Sequence, residues 1–197
     1  MKRLLLATRN AHKEREIQEI LGPEWKLPDL TEYPEISEII ESGKSFEENA
    51  KLKATAVSKQ LPGLIIADDS GLEVEALGGA PGIYSARYAG KNATDKENVE
   101  KLLSELTRAG AKTHQLKARF RCVIALARAG KLLATFKGAV EGTIVDRPRG
   151  SHGFGYDPIF VPNGFEQTFA ELPAEVKNRI SHRAKAIRAL AANLGSF

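Results

Sequence analysis

Residues 64–71, Leu64-Ile65-Ile66-Ala67-Asp68-Asp69-Ser70-Gly71, run from an unbroken apolar stretch straight into two adjacent carboxylates. An apolar run without polar alternation reads as a strand buried on both faces, as in a sheet covered by helices. The spacing predicts that strand over 64–67, with the acids just past its end, and a half-exposed strand over 72–76 where apolar and acidic residues alternate. The chain opens in the same style. Lys2 to Thr8 is nearly continuously apolar, and Ala11 to Leu21 then places Ile17, Ile20 and Leu21 on one helical side before Gly22-Pro23 ends it.

Working outward, residues 25–40 read as short extended pieces broken by Pro28 and Pro34. Ser45-Phe46-Glu47-Glu48 and Thr94-Asp95-Lys96-Glu97 both have the S/T-x-x-E spacing of a capping box. They predict helices over about 45–60 and 94–109, with a glycine-rich loop over 78–90 before the second. Residues 116–129 and 131–141 flank Gly130 as a long hairpin. A loop over 150–157 leads into a strand over 159–161, and 173–179 and 182–194 read as helices. Hairpins and crossovers are mixed, so the class is α/β with a mixed sheet. With no repeat or linker, residues 1–197 read as one domain.

Hydrophobic residues make up 42% and charged residues 27% of the 197, which suits a packed core and excludes long disorder. No apolar run approaches the ~20 residues of a membrane span, and the short N-terminal run is not a signal segment. These features predict a cytoplasmic protein away from membranes. The net charge of +4 is too small to argue for nucleic-acid binding. One cysteine, Cys122, excludes a disulfide framework, and His12, His114 and His152 lack the spacing of zinc ligands.

Four segments carry candidate chemistry. Thr8-Arg9-Asn10-Ala11-His12-Lys13 lies between a strand and a helix start, where free N–H groups and the helix dipole favour an anion such as phosphate. Walker glycines are absent, and Asn10 as a plain N-cap is the simpler reading. Asp68-Asp69 suits a hard cation such as Mg²⁺, with Glu41 or Glu48 completing it; an Asx turn closing a hairpin is the alternative. In Gly153-Phe154-Gly155-Tyr156-Asp157-Pro158 the aromatics can stack on a base, or simply pack in a core. Ser181-His182-Arg183 opens a helix, preceded by Lys177. Cations at a helix N-terminus are mildly unfavourable, which hints at a ligand; a solvated first turn is the plain alternative.

Together these segments resemble the inosine/xanthosine triphosphate pyrophosphatases. The stretches that carry the resemblance are LLLATRNAHKEREI, ESGKSFEENAKLKA, IIADDSGLEVEALGGAPGIYSARYAG, GSHGFGYDPIFVP and ISHRAKA, in family order from residue 4 to residue 187. The resemblance implies an elongated two-lobed fold around a long mixed sheet, with the active site in its cleft. It also implies a homodimer and Mg²⁺-dependent hydrolysis of ITP, dITP and XTP to monophosphate and pyrophosphate. Thr8, Arg9, Asn10, Ala11, His12 and Lys13, with Lys53, would hold the triphosphate. Glu41 and Asp69 would hold Mg²⁺, and Asp69 would be the general base. Ser70 would contact the nucleotide. Phe154, Gly155, Tyr156, Asp157, Lys177, His182 and Arg183 would form the base and sugar pocket, with His182 and Arg183 donating to the purine six-oxygen. Relatives often carry paired acids where this chain has Ile40-Glu41, so Glu48 and Asp68 stay in view as the outer metal ligand. Other readings are a pyrophosphatase for modified pyrimidine or methylated nucleotides, as in the septum-inhibitor-like family, and a non-catalytic nucleotide sensor. The serine-proline-arginine loop of that family is not matched by Thr8-Arg9-Asn10.

Overall fold

The computed structural model describes residues 2–111 and 116–197; His114 lies outside them. Among the described residues, seven strands and five α-helices occur in the order β1 (Lys2–Arg3), β2 (Leu5–Leu6), α1 (Ala11–Leu21), β3 (Trp25–Lys26), α2 (Phe46–Ser58), β4 (Ile65–Val74), α3 (Asp95–Arg108), β5 (Leu116–Arg128), β6 (Lys131–Ile144), β7 (Phe160–Pro162), α4 (Ala174–Ile180) and α5 (His182–Asn193). The main sheet has the order β2-β4-β5-β6-β7, parallel at β2–β4 and antiparallel at β6–β7. It is therefore a mixed sheet in an α/β fold. Among the described residues no helix is long and apolar enough to cross a membrane.

The segment 4–7, which contains β2, is paired on both sides. Leu4 and Leu6 donate backbone N–H groups to Lys26 and Pro28, while Leu5 and Ala7 donate to Leu64 and Ile66. That pairing explains the unbroken apolar run: Leu4 to Ala7 are buried, whereas the charged Lys2 and Arg3 are exposed and pair with β3.

The helix signals correspond to real caps. Asn10 accepts from the backbone N–H of His12 and Lys13, at 3.0 and 3.1 Å. Thr94 and Glu97 form a reciprocal capping box. Ser45 caps α2, but Glu48 reaches past it to the Lys44 N–H at 2.7 Å. The hairpin turns at Ala129-Gly130, where both residues have positive φ, the geometry whose twist matches the flanking strands.

One expectation fails. Residues 64–67 and 72–76 are not two strands with a turn between them; β4 runs unbroken through Asp68-Asp69-Ser70-Gly71 to Val74. A strand sends successive side chains to opposite faces, so the adjacent carboxylates need not face each other and no turn is required.

The chain divides into two compact units. One comprises Met1–Asp69, Cys122–Gly138 and His182–Phe197, and the other Ser70–Arg121 and Ala139–Ser181. Each has its own apolar core. In the first, Leu4, Leu6, Ile17, Ile66, Ile124, Ile187 and Leu190 are fully buried. In the second, Leu72, Leu102, Leu106, Phe160 and Phe169 are, and the Phe120 and Phe160 rings meet edge to face at 4.8 Å. Each such side chain contributes about 1.5–3 kcal/mol, so either core is a firm base for charged groups.

Candidate active site

In the first unit the charged groups gather around β4. The Asp68 side chain is fully buried. Its Oδ1 accepts from the Lys13 ammonium, and its Oδ2 accepts from Arg183 Nε and from the Cys122 thiol, each at 3.1 Å. Arg183 Nη1 donates in turn to Glu16 at 2.5 Å. Burial alone would raise the Asp68 carboxyl, but Arg183 and Lys13 outweigh it and hold it well below the usual carboxylate range. The Cys122 thiol is pushed well up, first by burial and then by Asp68.

Asp69 has different company. Its Oδ1 accepts from Lys53 Nζ at 3.1 Å, and the same ammonium donates to Glu41 at 2.7 Å and to the Asp68 carbonyl at 2.8 Å. Its Oδ2 is buried and has no hydrogen-bond partner among the described residues. Burial raises the Asp69 carboxyl above its ordinary range against the pull of Lys53 and Lys13. Lys53 moves up as well, because Asp69 and Glu41 overcome the lowering effect of burial.

The 8–13 loop joins β2 to α1 as expected, and residues 9–12 are exposed. Its side chains are partly engaged. Thr8 Oγ1 accepts from the Asn10 N–H at 3.2 Å, Asn10 serves as the N-cap, and His12 Nδ1 lies 3.3 Å from Arg15. Arg9 turns toward the backbone of the following segment, donating to the Ile36 carbonyl at 2.6 Å. Ala11 is the first residue of α1.

His182 and Arg183 do not form a solvated first turn: they are only 4% and 2% exposed. Arg183 is drawn inward because Asp68 and Glu16 together neutralise its guanidinium.

The second unit holds Ser70 and the glycine loop. Asp157 is buried, and its Oδ2 accepts from the Phe154 N–H at 2.8 Å and from Lys177 Nζ at 2.5 Å. The Lys177 ammonium also lies 5.2 Å from the centre of the half-buried Phe154 ring. Gly153 makes this possible: its φ is +72°, and a Cβ there would fall 2.0 Å from Asp157 Oδ2. Tyr156 belongs to the core and donates its hydroxyl to the Ser85 carbonyl at 2.9 Å.

Three contributors are missing from the sequence reading. Glu16 balances Arg183, Cys122 donates to Asp68, and Asp95 accepts from the Gly155 N–H at 2.7 Å. The one local signal for Glu16 is an acid beside the apolar Ile17 on the inward side of α1.

This arrangement can carry phosphate chemistry at a carboxylate, and a family model matches residues 4–193 of the chain: that of the Ham1 family. The chain belongs to the Ham1 family. It is 50% identical over 190 residues to the dITP/XTP pyrophosphatase of Shouchella clausii, covering 96% of this chain and 95% of that one. It is 49% identical over 191 residues to the dITP/XTP pyrophosphatase of Bacillus subtilis, covering 96% of each. Among solved structures, the Ham1 protein of Staphylococcus aureus superposes with a TM-score of 0.85 at 44% identity, over 99% of each chain. A HAM1 protein from Coxiella burnetii gives 0.87 at 43% identity over the whole of both chains. These Ham1 structures share the mixed α/β architecture.

Proposed function

We propose that this Ham1-family chain hydrolyses non-standard purine nucleoside triphosphates, dITP, ITP and XTP, to the monophosphate and pyrophosphate, clearing them from the nucleotide pool. The observation that carries the reading is the Asp69 carboxylate: it is buried, burial raises it above its ordinary range, and one of its oxygens has no hydrogen-bond partner among the described residues. A group whose charge were purely structural would have its oxygens satisfied, as Asp68 does.

In this reading Asp69 takes a proton from a water that attacks the α-phosphorus. The bond from that phosphorus to the bridging oxygen breaks, and pyrophosphate leaves with the electron pair. Lys13 holds phosphate oxygens together with the Thr8 to His12 loop, and Lys53, whose three donors go to Glu41, Asp69 and the Asp68 carbonyl, would turn to phosphate only by releasing one of them.

The donor set fits Mg²⁺. Glu41 and Asp69 offer hard oxygens, and the Lys53 ammonium already bonds to both carboxylates, so cationic charge is favoured beside them. Among the described residues no cluster of three or more His, Cys, Asp or Glu is placed to hold a metal ion, so an ion here would rest on these two carboxylates and complete its shell with phosphate and water. Glu48 is exposed and occupied with the Lys44 N–H, and Asp68 is taken by cations, which favours Glu41 as the second ligand. When bound, Mg²⁺ would neutralise charge on the phosphoryl oxygens and the leaving pyrophosphate.

The base would rest on Phe154 and Gly155, with Asp157, Lys177 and Ser70 of the same unit beside them; Tyr156 is taken by the core, and the Arg183 guanidinium by Asp68 and Glu16. A donor facing the six-oxygen of hypoxanthine or xanthine is left unpaired by adenine, and such mismatches discriminate by ~10⁴-fold or more. The same reading makes the protein a cytoplasmic homodimer acting on free nucleotides.

The test is a panel of dITP, ITP, XTP, GTP, ATP, CTP and UTP with Mg²⁺, quantifying monophosphate and pyrophosphate. Preferential conversion of dITP, ITP and XTP is expected. Formation of the nucleoside diphosphate and orthophosphate, or binding without turnover, would overturn the reading.

A further inference from the structure

We infer that Asp95, on the first turn of α3, is a positioning residue for the base-binding loop; the inference rests on the proposal above that residues 154–157 receive the purine. The loop is fixed from within at its ends. Asp157 holds the Phe154 N–H, and the Asp157 N–H returns to the Phe154 carbonyl at 3.2 Å. Tyr156 is moored in the core through Ser85. The middle is Gly155, with φ +61° and nothing within 4 Å of where a Cβ would stand. Such a residue pivots freely unless held. Its N–H is held by Asp95 Oδ2 at 2.7 Å, from 60 residues away in sequence.

An acid at a helix start ordinarily serves the helix dipole. Here α3 already has a complete capping box from Thr94 and Glu97, so its terminus is satisfied without Asp95. One turn further, Asn98 accepts from the Ala89 N–H at 2.8 Å and donates to the Ala86 carbonyl at 3.3 Å. The start of α3 thus braces both the 86–89 segment and the glycine loop. Asp95 fixes the orientation of the 154–155 peptide, and with it the face that Phe154 offers to a flat base. Its effect should fall on recognition of the base and spare the phosphates.

Asp95 is exposed, so Asp95→Ala should fold. Steady-state kinetics with dITP should show KM raised about 5-fold and kcat within about 2-fold of the parent, the scale of one lost hydrogen bond that positions but does not react. Inhibition by tripolyphosphate, which has phosphates and no base, should be unchanged. Asp95→Asn keeps an acceptor oxygen and should restore KM. Phe154→Ala, measured in parallel, reports on the loop itself. If Phe154→Ala raises KM for dITP and Asp95→Ala does not, the positioning role is overturned and the base pocket stands. If Phe154→Ala leaves KM unchanged, the base-pocket reading falls and the inference with it. Equal weakening of tripolyphosphate and dITP by Asp95→Ala, or failure of Asp95→Asn to restore KM, also overturns it.

Discussion

Asp68 and Asp69 sit side by side on β4, and the regions they enter are opposites. Asp68 is saturated: a lysine, an arginine and a thiol donate to it, and a second acid, Glu16, balances the arginine. Asp69 shares one lysine with Glu41 and has one oxygen without a hydrogen-bond partner among the described residues. Burial pushes both carboxyls up, but only around Asp68 do the neighbouring cations win. The difference separates anchoring from reacting. A saturated carboxylate fixes the cations that touch it, and in the proposed reaction the undersatisfied one would take the proton and share the metal ion.

The comparison is open to attack by mutation. Asp68→Ala should have the largest effect, because it strands the Lys13 ammonium and takes from Arg183 one of its two carboxylates. A broken buried pair costs about 3–5 kcal/mol. Urea unfolding should show that loss for Asp68→Ala, while Asp69→Asn leaves stability unchanged or slightly higher. Equal losses at the two positions would erase the distinction. Activity should show the reverse specificity. Asp69→Asn should lower kcat at least ~100-fold, the scale of a lost general base, in a protein that melts like the parent.

A smaller effect sharpens the Asp68 side. Cys122→Ala removes one buried donor and leaves a small void, and should cost about 1–2 kcal/mol in urea unfolding. No change in stability would mean that the thiol merely fills space.

The smallest effect concerns a surface pair that resembles the buried one in composition. Glu47 bonds to Lys137 at 2.5 Å and Lys51 at 2.6 Å. Lys137 and then Lys51 lower its carboxyl from 4.5 to about 2. A carboxyl lowered by folding contributes stability above its unfolded value and loses it as pH falls through its folded value. The Glu47 contribution should therefore be present at neutral pH and fade between about 4.5 and about 2. Solvent screening keeps it under about 1 kcal/mol. Thermal melts of the parent and Glu47→Gln at pH 7 and at pH 3 should differ slightly at the first and less at the second.

Much of this organisation is legible in the residues themselves. Caps declare themselves locally, which is why the starts of α1, α2 and α3 follow from Asn10, Ser45 and Thr94. The hairpin follows from Gly130 between two apolar runs. The strand through Asp68-Asp69-Ser70-Gly71 did not, because those residue types favour turns and only tertiary partners satisfy them in an extended chain. The same reason hides Glu16 and Asp95. Glu16 meets Arg183 across 167 residues, and no local pattern records that distance. Arg183 is the instructive case. Its position at a helix start reads as surface or ligand contact, whereas its guanidinium bonds to two carboxylates in the structure. As the choice over Glu48, Glu41 is legible from the resemblance alone, and its bond to Lys53 beside Asp69 is a tertiary contact that no local pattern records.

The central claim is that Asp69 directs water to the α-phosphorus of a purine nucleoside triphosphate. Hydrolysis of dITP in water enriched in oxygen-18, with mass analysis of both products, tests it most directly. The expected result is one labelled oxygen in the monophosphate and unlabelled pyrophosphate. Label in the pyrophosphate, or orthophosphate in place of pyrophosphate, would contradict the account.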